Sequence, residues 1–297
     1  MNSFLEDVTD GRINRWFGWG AGRNSDSGDT GRYEYESIGE VVDSGEFEGY
    51  DIDEASMFST EYPVRSGNVE ETFSAEGIAN LHVELGGSLF YVEESSDDTF
   101  YVEAENTGKF QAYKSGGTMY IKSSRKTRIW DEIEKCSVTL YIPENYVFTE
   151  VNMELGAGLM ELGTLNGEKM ELEVGAGQIT ADYLESGNLD IYVGAGEVIV
   201  NDMSVTELSS SVGAGHFYAG GTVNGNINAE CAMGSLELSL NAAEEDFDYS
   251  VECMAGAVMV GSNSYSGLAS ERNWSNNAGR NMDLECSMGR IVVSFWE

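Results

Sequence analysis

The stretch from Val151 to Gly215 repeats one short phrase four times, and this repeat decides the fold. The phrase is an apolar residue followed by Gly-Ala-Gly, and its copies are Leu155-Gly156-Ala157-Gly158, Val174-Gly175-Ala176-Gly177, Val193-Gly194-Ala195-Gly196 and Val212-Gly213-Ala214-Gly215. The spacing between the first glycines of successive copies is constant. A fixed period of this length without a helical pattern is typical of stacked β-coils. We therefore predict an all-β array in which each repeat is one coil.

Looser copies of the phrase follow the regular stretch, and a diverged copy precedes it. Ala232-Met233-Gly234 keeps the regular spacing, whereas Met254-Ala255-Gly256 and Ser287-Met288-Gly289 follow after progressively longer steps. Leu85-Gly86-Gly87-Ser88 lies well before the first clean copy. The array is therefore predicted to extend in both directions beyond the regular repeats.

The longest step has a simple explanation near the C-terminus. Ser262 to Asn281 is rich in Ser, Asn and Gly and is predicted to be an insertion between the last two copies. After it, the strand Arg290 to Trp296 ends the chain with bulky aromatic residues. We expect this final strand to close the stack and to cap its exposed end.

Within each repeat, counted from its first glycine as position 0, the apolar residues alternate. Positions −5, −3 and −1 are apolar, as in Val151, Met153 and Leu155, while −4 and −2 are mostly polar. This is the pattern of a strand with one buried face. The next apolar pair lies at +4 and +6, and the small residue at +1 is also expected to face inward.

Position +2 is glycine in all seven copies from Gly156 onward, and we predict that it forms a corner. Glycine tolerates a positive φ angle or a close approach of another backbone. The seven corner glycines are Gly158, Gly177, Gly196, Gly215, Gly234, Gly256 and Gly289. We therefore predict a single-stranded β-solenoid, a β-helix with coils of about 19 residues that winds in the usual right-handed sense.

The composition divides the chain into two parts. Residues 1–68 are acidic and rich in Gly and Ser, and they resemble a linker. Residues 69–297 are predicted to form the solenoid domain. Within it, 69–150 are diverged N-terminal coils, 151–240 are regular repeats and 241–297 are irregular C-terminal coils with a cap.

The net charge limits the partners. Sixteen basic residues against 52 acidic ones give a net charge of −36, which argues against nucleic acid and anionic lipid surfaces. No apolar run is long enough to predict a membrane-spanning helix. We expect contact with a membrane only through an anchor absent from this chain.

Three of the four cysteines share one structural position. Cys231, Cys253 and Cys286 all occupy position −1, and we interpret them as buried free thiols. In two of these coils methionine stands at +1, namely Met233 and Met288, and it is expected to regain the volume lost at −1. The spacing of the cysteines does not fit a metal site.

Two glutamate pairs and one basic loop are the candidate binding residues. Glu154 and Glu173 share position −2, as do Glu230 and Glu252, and each pair is expected on adjacent coils. Such carboxylate rows are consistent either with a solvated surface or with calcium binding. The basic loop supplies the other candidates, which are Arg125, Lys126, Arg128 and Trp130.

No catalytic constellation accompanies these residues. His216 has no His, Cys or Asp partner at coil spacing and is expected to be solvated. The glycine phrases join strand to strand and lack the helix that phosphate loops use. Stacked carboxylates at about the separation found in retaining glycosidases leave a carbohydrate-active enzyme as the alternative. We otherwise predict no enzymatic activity and no required cofactor.

The pattern resembles the bacterial putative-adhesin family of β-strand-repeat proteins, a domain of unknown function common in Gram-positive bacteria. The matching segments are Val83 to Ser88, Leu140 to Pro143, the Gly-Ala-Gly rungs, Ser264 to Gly267 and Ser287 to Val293. The resemblance implies a β-solenoid on the cell surface or the outer face of the envelope, often behind an N-terminal anchor. Our first hypothesis is a non-catalytic surface protein that binds a protein, glycan or cell-wall component, and the resemblance leaves a role in envelope-stress sensing open.

Overall fold

The structure is a computed structural model that describes residues 57–124, 135–266 and 269–296. Across these residues the chain is all-β. The strands are β1 (Arg65–Ser74), β2 (Asn80–Ser95), β3 (Thr99–Ser115), β4 (Thr118–Ser124), β5 (Ser137–Pro143), β6 (Val147–Val174), β7 (Gln178–Val193), β8 (Glu197–Val212), β9 (His216–Val223), β10 (Ile227–Cys231), β11 (Ser235–Asn241), β12 (Asp248–Cys253), β13 (Ala257–Val260), β14 (Asn263–Ser266), β15 (Ser270–Trp274), β16 (Asn281–Cys286) and β17 (Arg290–Trp296). A 3-10 turn at Glu244–Asp246 precedes β12. The predicted domain boundary at 68/69 falls inside β1.

The regular repeats stack in parallel with the register that their spacing predicts. Met160 of β6 pairs with Ile179 of β7, which pairs with Val198 of β8, which pairs with Phe217 of β9. Each step equals one repeat of the sequence, so equivalent positions lie one strand spacing apart, about 4.8 Å. The sequence period therefore sets the stacking of this part of the molecule.

The diverged N-terminal copy stacks directly on the first regular coil. Strand β2 pairs in parallel with β6, with Val83 beside Met153 and Phe90 beside Met160. This register matches the offset between Gly86 and Gly156 in the two copies of the phrase. The diverged copy of the phrase around Gly86 therefore pairs in register with the first regular copy.

At the C-terminal end, the order of the coils in space differs from their order in the chain. The last coil, β16 and β17, lies between the coil of β10 and β11 and the coil of β12 and β13. Ile291, for example, pairs with Leu236 on one side and with Val258 on the other. The predicted cap role of the final strand is therefore wrong, because β17 is an interior strand.

Antiparallel strands close both ends of the stack instead. At the C-terminal end, β14 pairs with β13 and β15 pairs with β12, so the segment predicted as an insertion forms the outermost layer. At the N-terminal end, the long strand β3 covers β4 and β5, and β1 pairs with β3 on its outer side. These layers cover sheet edges that would otherwise offer unpaired backbone groups.

The core is one continuous column of apolar side chains along the stack. The inward positions −5, −3, −1, +4 and +6 are buried as predicted, and Leu155, Ile179 and Phe217 are fully shielded from solvent. Each coil covers the apolar face of its neighbour, which is how a repeat array gains a core that a single coil lacks.

The corner differs from the prediction in one respect. Position +1 faces outward, since Ala195 and Ala214 are exposed and Met233 and Met288 are about half exposed. The chain bends over positions 0 to +2, so the inward alternation of −5, −3 and −1 does not continue to +1.

The corner glycines are aligned above one another, as predicted, and their role is close packing of the backbone. A Cβ atom on Gly177 would lie 2.7 Å from the carbonyl oxygen of Gly158, and Gly196, Gly215 and Gly234 face the glycine of the preceding rung in the same way. Among these corner positions, a positive φ is found at Gly158 (φ +114°). No side chain fits between such closely stacked corners.

Candidate functional site

The outward residues at position −2 form a single row along the stack, which we call the −2 row. Parallel pairing in register keeps these side chains one strand spacing apart, about 4.8 Å. In spatial order the row contains Lys122, Glu84, Glu154, Glu173, Tyr192, Ser211, Glu230, Glu285, Glu252 and Glu271. The row therefore contains two blocks of carboxylates, separated by Tyr192 and Ser211.

The first block is partly neutralised by a lysine. Lys122 Nζ lies 3.0 Å from Glu84 Oε2, and it also donates a hydrogen bond to the carbonyl of Met57. Burial acts to raise the pKa of Glu84, but the nearby His82 and the hydrogen-bonded Lys122 outweigh it and lower the pKa. Glu154 and Glu173 follow on adjacent coils, as predicted, since Gly175 N donates to Leu155 O.

The second block, which we call the acidic row, consists of Glu230, Glu285, Glu252 and Glu271. Glu230 and Glu252 were predicted to be neighbours, and this is wrong because Glu285 lies between them. The cause is the insertion of the last coil into the stack. Sequence spacing missed Glu285 and Glu271 as members, since both lie more than two repeats from Glu230 along the chain.

Carboxylates crowd each other in the acidic row. Burial and the charge of Glu285 raise the pKa of Glu230 to about 7. Burial, with the charges of Glu252 and Asp283, also raises the pKa of Glu285. Among the described residues, Glu230 Oε2 is buried without a hydrogen-bond partner. This block therefore carries negative charge that the described part of the protein leaves uncompensated.

The cysteines form a ladder directly behind the acidic row. In space the order is Cys231, Cys286, Cys253, all three are buried, and all are free thiols, as is Cys136 on the opposite end of the stack. A hydrogen bond with Cys231 and burial both raise the pKa of the Cys286 thiol. These side chains occupy the space that valine fills in the regular coils, because Cys231 Sγ lies under Gly289 as Val212 lies under Gly234.

The methionines next to this ladder do not replace the lost core volume. Met233 and Met288 are 50% and 64% exposed, so the predicted compensation at +1 is wrong. Both side chains point away from the core because position +1 faces outward.

A polar ladder at position +3 was not predicted. His216 Nδ1 lies 2.9 Å from Glu197 Oε1, and Gln178 Nε2 lies 2.8 Å from Glu197 Oε2. The partners are one repeat apart in the chain, so counting one coil back from His216 would have found Glu197. His216 was expected to be solvated, but it is only about one-third exposed and is paired with Glu197.

A groove runs along the turns that connect successive coils, and we call it the turn groove. Its volume is about 430 Å³, and it crosses four coils. Polar side chains line it, with the exposed side chain of Val147 at one end; among them are Asn166, Glu168, Glu185, Ser204, Thr206 and Asn224. Asn166 Oδ1 is buried and lacks a hydrogen-bond partner among the described residues. Sequence reasoning missed this groove because turn residues carry no periodic apolar signal.

The predicted basic-loop residues Arg125, Lys126, Arg128 and Trp130 lie outside the described residues, so their binding role stays a prediction. Within the described ranges, no group of three or more His, Cys, Asp or Glu residues is arranged to hold a metal ion. Calcium binding by the glutamate rows is therefore left to a direct test of melting temperature with calcium against chelator. In the same ranges, no helix is both long enough and apolar enough to span a membrane.

Solved structures and one curated protein share similarity with the chain. A putative adhesin from Bacteroides fragilis is 13% identical, with a TM-score of 0.38, over 76% of this chain and 96% of that one. A putative cell adhesion protein from Clostridium sporogenes is 9% identical, with a TM-score of 0.32, over 78% and 100%. Mouse Teneurin-3 is 34% identical over 101 residues, and the chain spans only 4% of its length.

The family comparison covers most of the chain. The model of the family described as Toastrack DUF4097 matches residues 78–293, from the start of the diverged coil to the final strand. This range contains the segments on which the family resemblance was based, and that resemblance is confirmed. The chain belongs to the DUF4097 Toastrack family.

Proposed function

We propose that this chain is a non-catalytic binding protein of the cell surface or envelope, an adhesin whose ligand is a protein, a glycan or a cell-wall component. In this proposal the stacked coils are a right-handed β-solenoid that acts as a rigid scaffold. The observation that carries it is the turn groove, which crosses four coils and is lined with hydrogen-bonding side chains.

The geometry of the groove suits an extended polymer. Equivalent positions recur along it at about the strand spacing of 4.8 Å, so a linear ligand meets polar groups on successive coils, such as Asn166, Glu185 and Ser204. Its lining combines amide, hydroxyl and carboxylate groups. Polar groups of this kind fix the orientation of a ligand in a site.

The proposal is tested with the purified chain on glycan arrays, on isolated cell walls and on whole cells. The variant Glu168→Ala/Glu185→Ala/Thr206→Ala removes exposed groups of the groove and is expected to abolish the binding that the unmodified chain shows. The control Ser96→Ala/Asp97→Ala/Asp98→Ala changes three exposed residues of the turn between β2 and β3 and should bind normally. Equal loss in both variants, or no binding to any of these surfaces, would contradict the proposal.

One observation favours the alternative of a carbohydrate-active enzyme. Glu230, with a pKa raised to about 7, lies one strand spacing from Glu285, and Glu154 lies similarly close to Glu173. Retaining glycosidases use two carboxyl groups about 5 Å apart, one of them with a raised pKa. Turnover of a polysaccharide that Glu230→Gln or Glu173→Gln abolishes would establish this alternative. A role in envelope-stress sensing rests on the family resemblance alone.

A further inference from the structure

Three methionines project from the corner of the last three rungs, and we call them the methionine corner. Met233, Met288 and Met254 are 50%, 64% and 45% exposed. They lie on adjacent rungs, since Met288 N donates to Ala232 O and Met254 N donates to Cys286 O. The regular coils have only glycine and alanine at these positions.

The exposed large apolar side chains of the described residues are concentrated at the methionine corner. Seven large apolar side chains are exposed in the described residues, four of these are methionines, and three form this corner. Adjacent exposed apolar side chains mark interaction surfaces more often than isolated ones do. Methionine is suited to such a surface because its flexible thioether adapts to partners of different shape.

The acidic row lies directly beside the methionine corner. Along the chain, Glu252 precedes Met254 by two positions, and Glu230 and Glu285 precede Met233 and Met288 by three, which corresponds to roughly 7–10 Å at the usual strand rise. A neighbouring cation is already engaged, because Arg290 Nη2 lies 2.7 Å from Glu237 Oε1. Apolar side chains and uncompensated carboxylates thus run in parallel over the same rungs.

We propose that the methionine corner and the acidic row form one docking surface for a cationic amphipathic segment of a partner protein. The apolar side chains of the segment pack on Met233, Met288 and Met254, and its lysine or arginine side chains pair with Glu230, Glu285 and Glu252. The inference rests on the proposed binding function and names a class of protein partner for it. Complementary charge steers such an encounter, and the apolar contact retains the partner.

The groups that face Glu230 are consistent with pairing between this carboxyl group and a cation of the partner. Ser211 faces it from β8 and Glu285 faces it from β16, with Glu252 and Asp283 beside Glu285. A bound ammonium or guanidinium group would stabilise the ionised form of this carboxyl. Binding should therefore weaken as the pH falls below about 7, where Glu230 takes up a proton.

The test uses a fluorescent helical peptide of leucine and lysine with the full chain, and measures anisotropy at constant salt. Its counterpart of leucine and glutamate serves as the probe of opposite charge. Saturable binding is expected for the cationic peptide alone. Met233→Ala/Met288→Ala gives both coils the alanine that the regular repeats carry at +1, so we expect folding to be retained. Because the apolar contact is lost, the affinity for the cationic peptide should fall by at least about tenfold.

A charge variant and a matched control complete the test. Glu252→Gln/Glu285→Gln should weaken binding by a similar factor and reduce its dependence on salt. Asp97→Asn/Asp98→Asn removes the same charge at the opposite end of the stack and should leave affinity unchanged.

Three outcomes overturn the inference: absence of saturable binding, unchanged affinity in the methionine variant, or equal loss in the Asp97/Asp98 control. None of them depends on the turn groove. Failure here therefore leaves the glycan and cell-binding experiments informative.

Discussion

The regular coils and the C-terminal coils have the same strand pattern, but they differ in whether neighbouring coils in the sheet are also consecutive in the chain. From β6 to β9, each coil packs on the coil next to it in the chain. After β11 the chain skips one place, builds β12 to β15, and then returns with β16 and β17 to fill the gap. A sequence period specifies the first arrangement, whereas the second depends on pairing between distant segments.

The substitution with the largest expected effect on stability tests whether the final strand, β17, is interior. Ile291 in β17 and Ile179 in β7 occupy the same position, +4, and both are fully buried. We expect Ile291→Ala and Ile179→Ala each to lower the free energy of unfolding by about 3–4 kcal/mol, through lost burial and a residual cavity. Urea unfolding followed by circular dichroism measures both. If Ile291→Ala costs less than half as much as Ile179→Ala, β17 lies at an edge.

The next effect concerns the aligned corners of the regular coils. A Cβ atom on Gly215 would meet the carbonyl oxygen of Gly196 and the side chain of Val193, and backbone cannot move aside. We expect Gly215→Ala to destabilise the protein by about 2–3 kcal/mol. The neighbouring variant Ala214→Ser lies at an exposed position and serves as the control, with a change within about 0.5 kcal/mol. Similar unfolding curves for the two variants would rule out close stacking at the corner.

A smaller, pH-dependent effect is expected in the acidic row. The pKa of Glu230 is raised to about 7 in the folded state, so the protonated form favours folding. Its contribution to stability is complete below the unfolded pKa of about 4.3 and is lost as the pH rises through about 7. After allowance for solvent screening, Glu230→Gln should therefore stabilise the protein by about 1–2 kcal/mol at about pH 8 and by little at about pH 4.

Thermal unfolding across this pH range measures the effect, and Glu252→Gln at an exposed position of the same row is the control. Equal stabilisation by Glu230→Gln at both pH values would show that Glu230 titrates normally.

The smallest expected effect on stability concerns the cysteine ladder, where it distinguishes a packing role of the side chains from a chemical role of the thiols. Val174, Val193 and Val212 hold the same position in the regular coils, so Cys231→Val should change stability by less than about 1.5 kcal/mol. All four thiols should be unreactive toward a thiol reagent in the folded protein, because each is buried, and reactive in urea. Rapid labelling of the folded protein would contradict this picture.

The comparison also shows how far sequence reasoning reached. The buried positions, the aligned glycines and the stacking of β2 on β6 were predictable because each follows from a repeated apolar pattern. The position of Glu285 between Glu230 and Glu252 was not, because it results from pairing between strands far apart in the chain. The turn groove was missed since its lining residues lie outside the apolar pattern. The outward direction of position +1 was missed because alternation alone does not report a three-position bend.

The interior placement of the last coil has a consequence for synthesis on the ribosome. Residues 248–260 reach their place in the parallel sheet only through β16 and β17, which are synthesised after them. A nascent chain that lacks residues 281–296 therefore leaves that layer without its inner neighbour, while the N-terminal coils can already pair. Completion of this part of the sheet thus waits for synthesis of residues 281–296, and deletion of those residues removes a middle layer from the sheet.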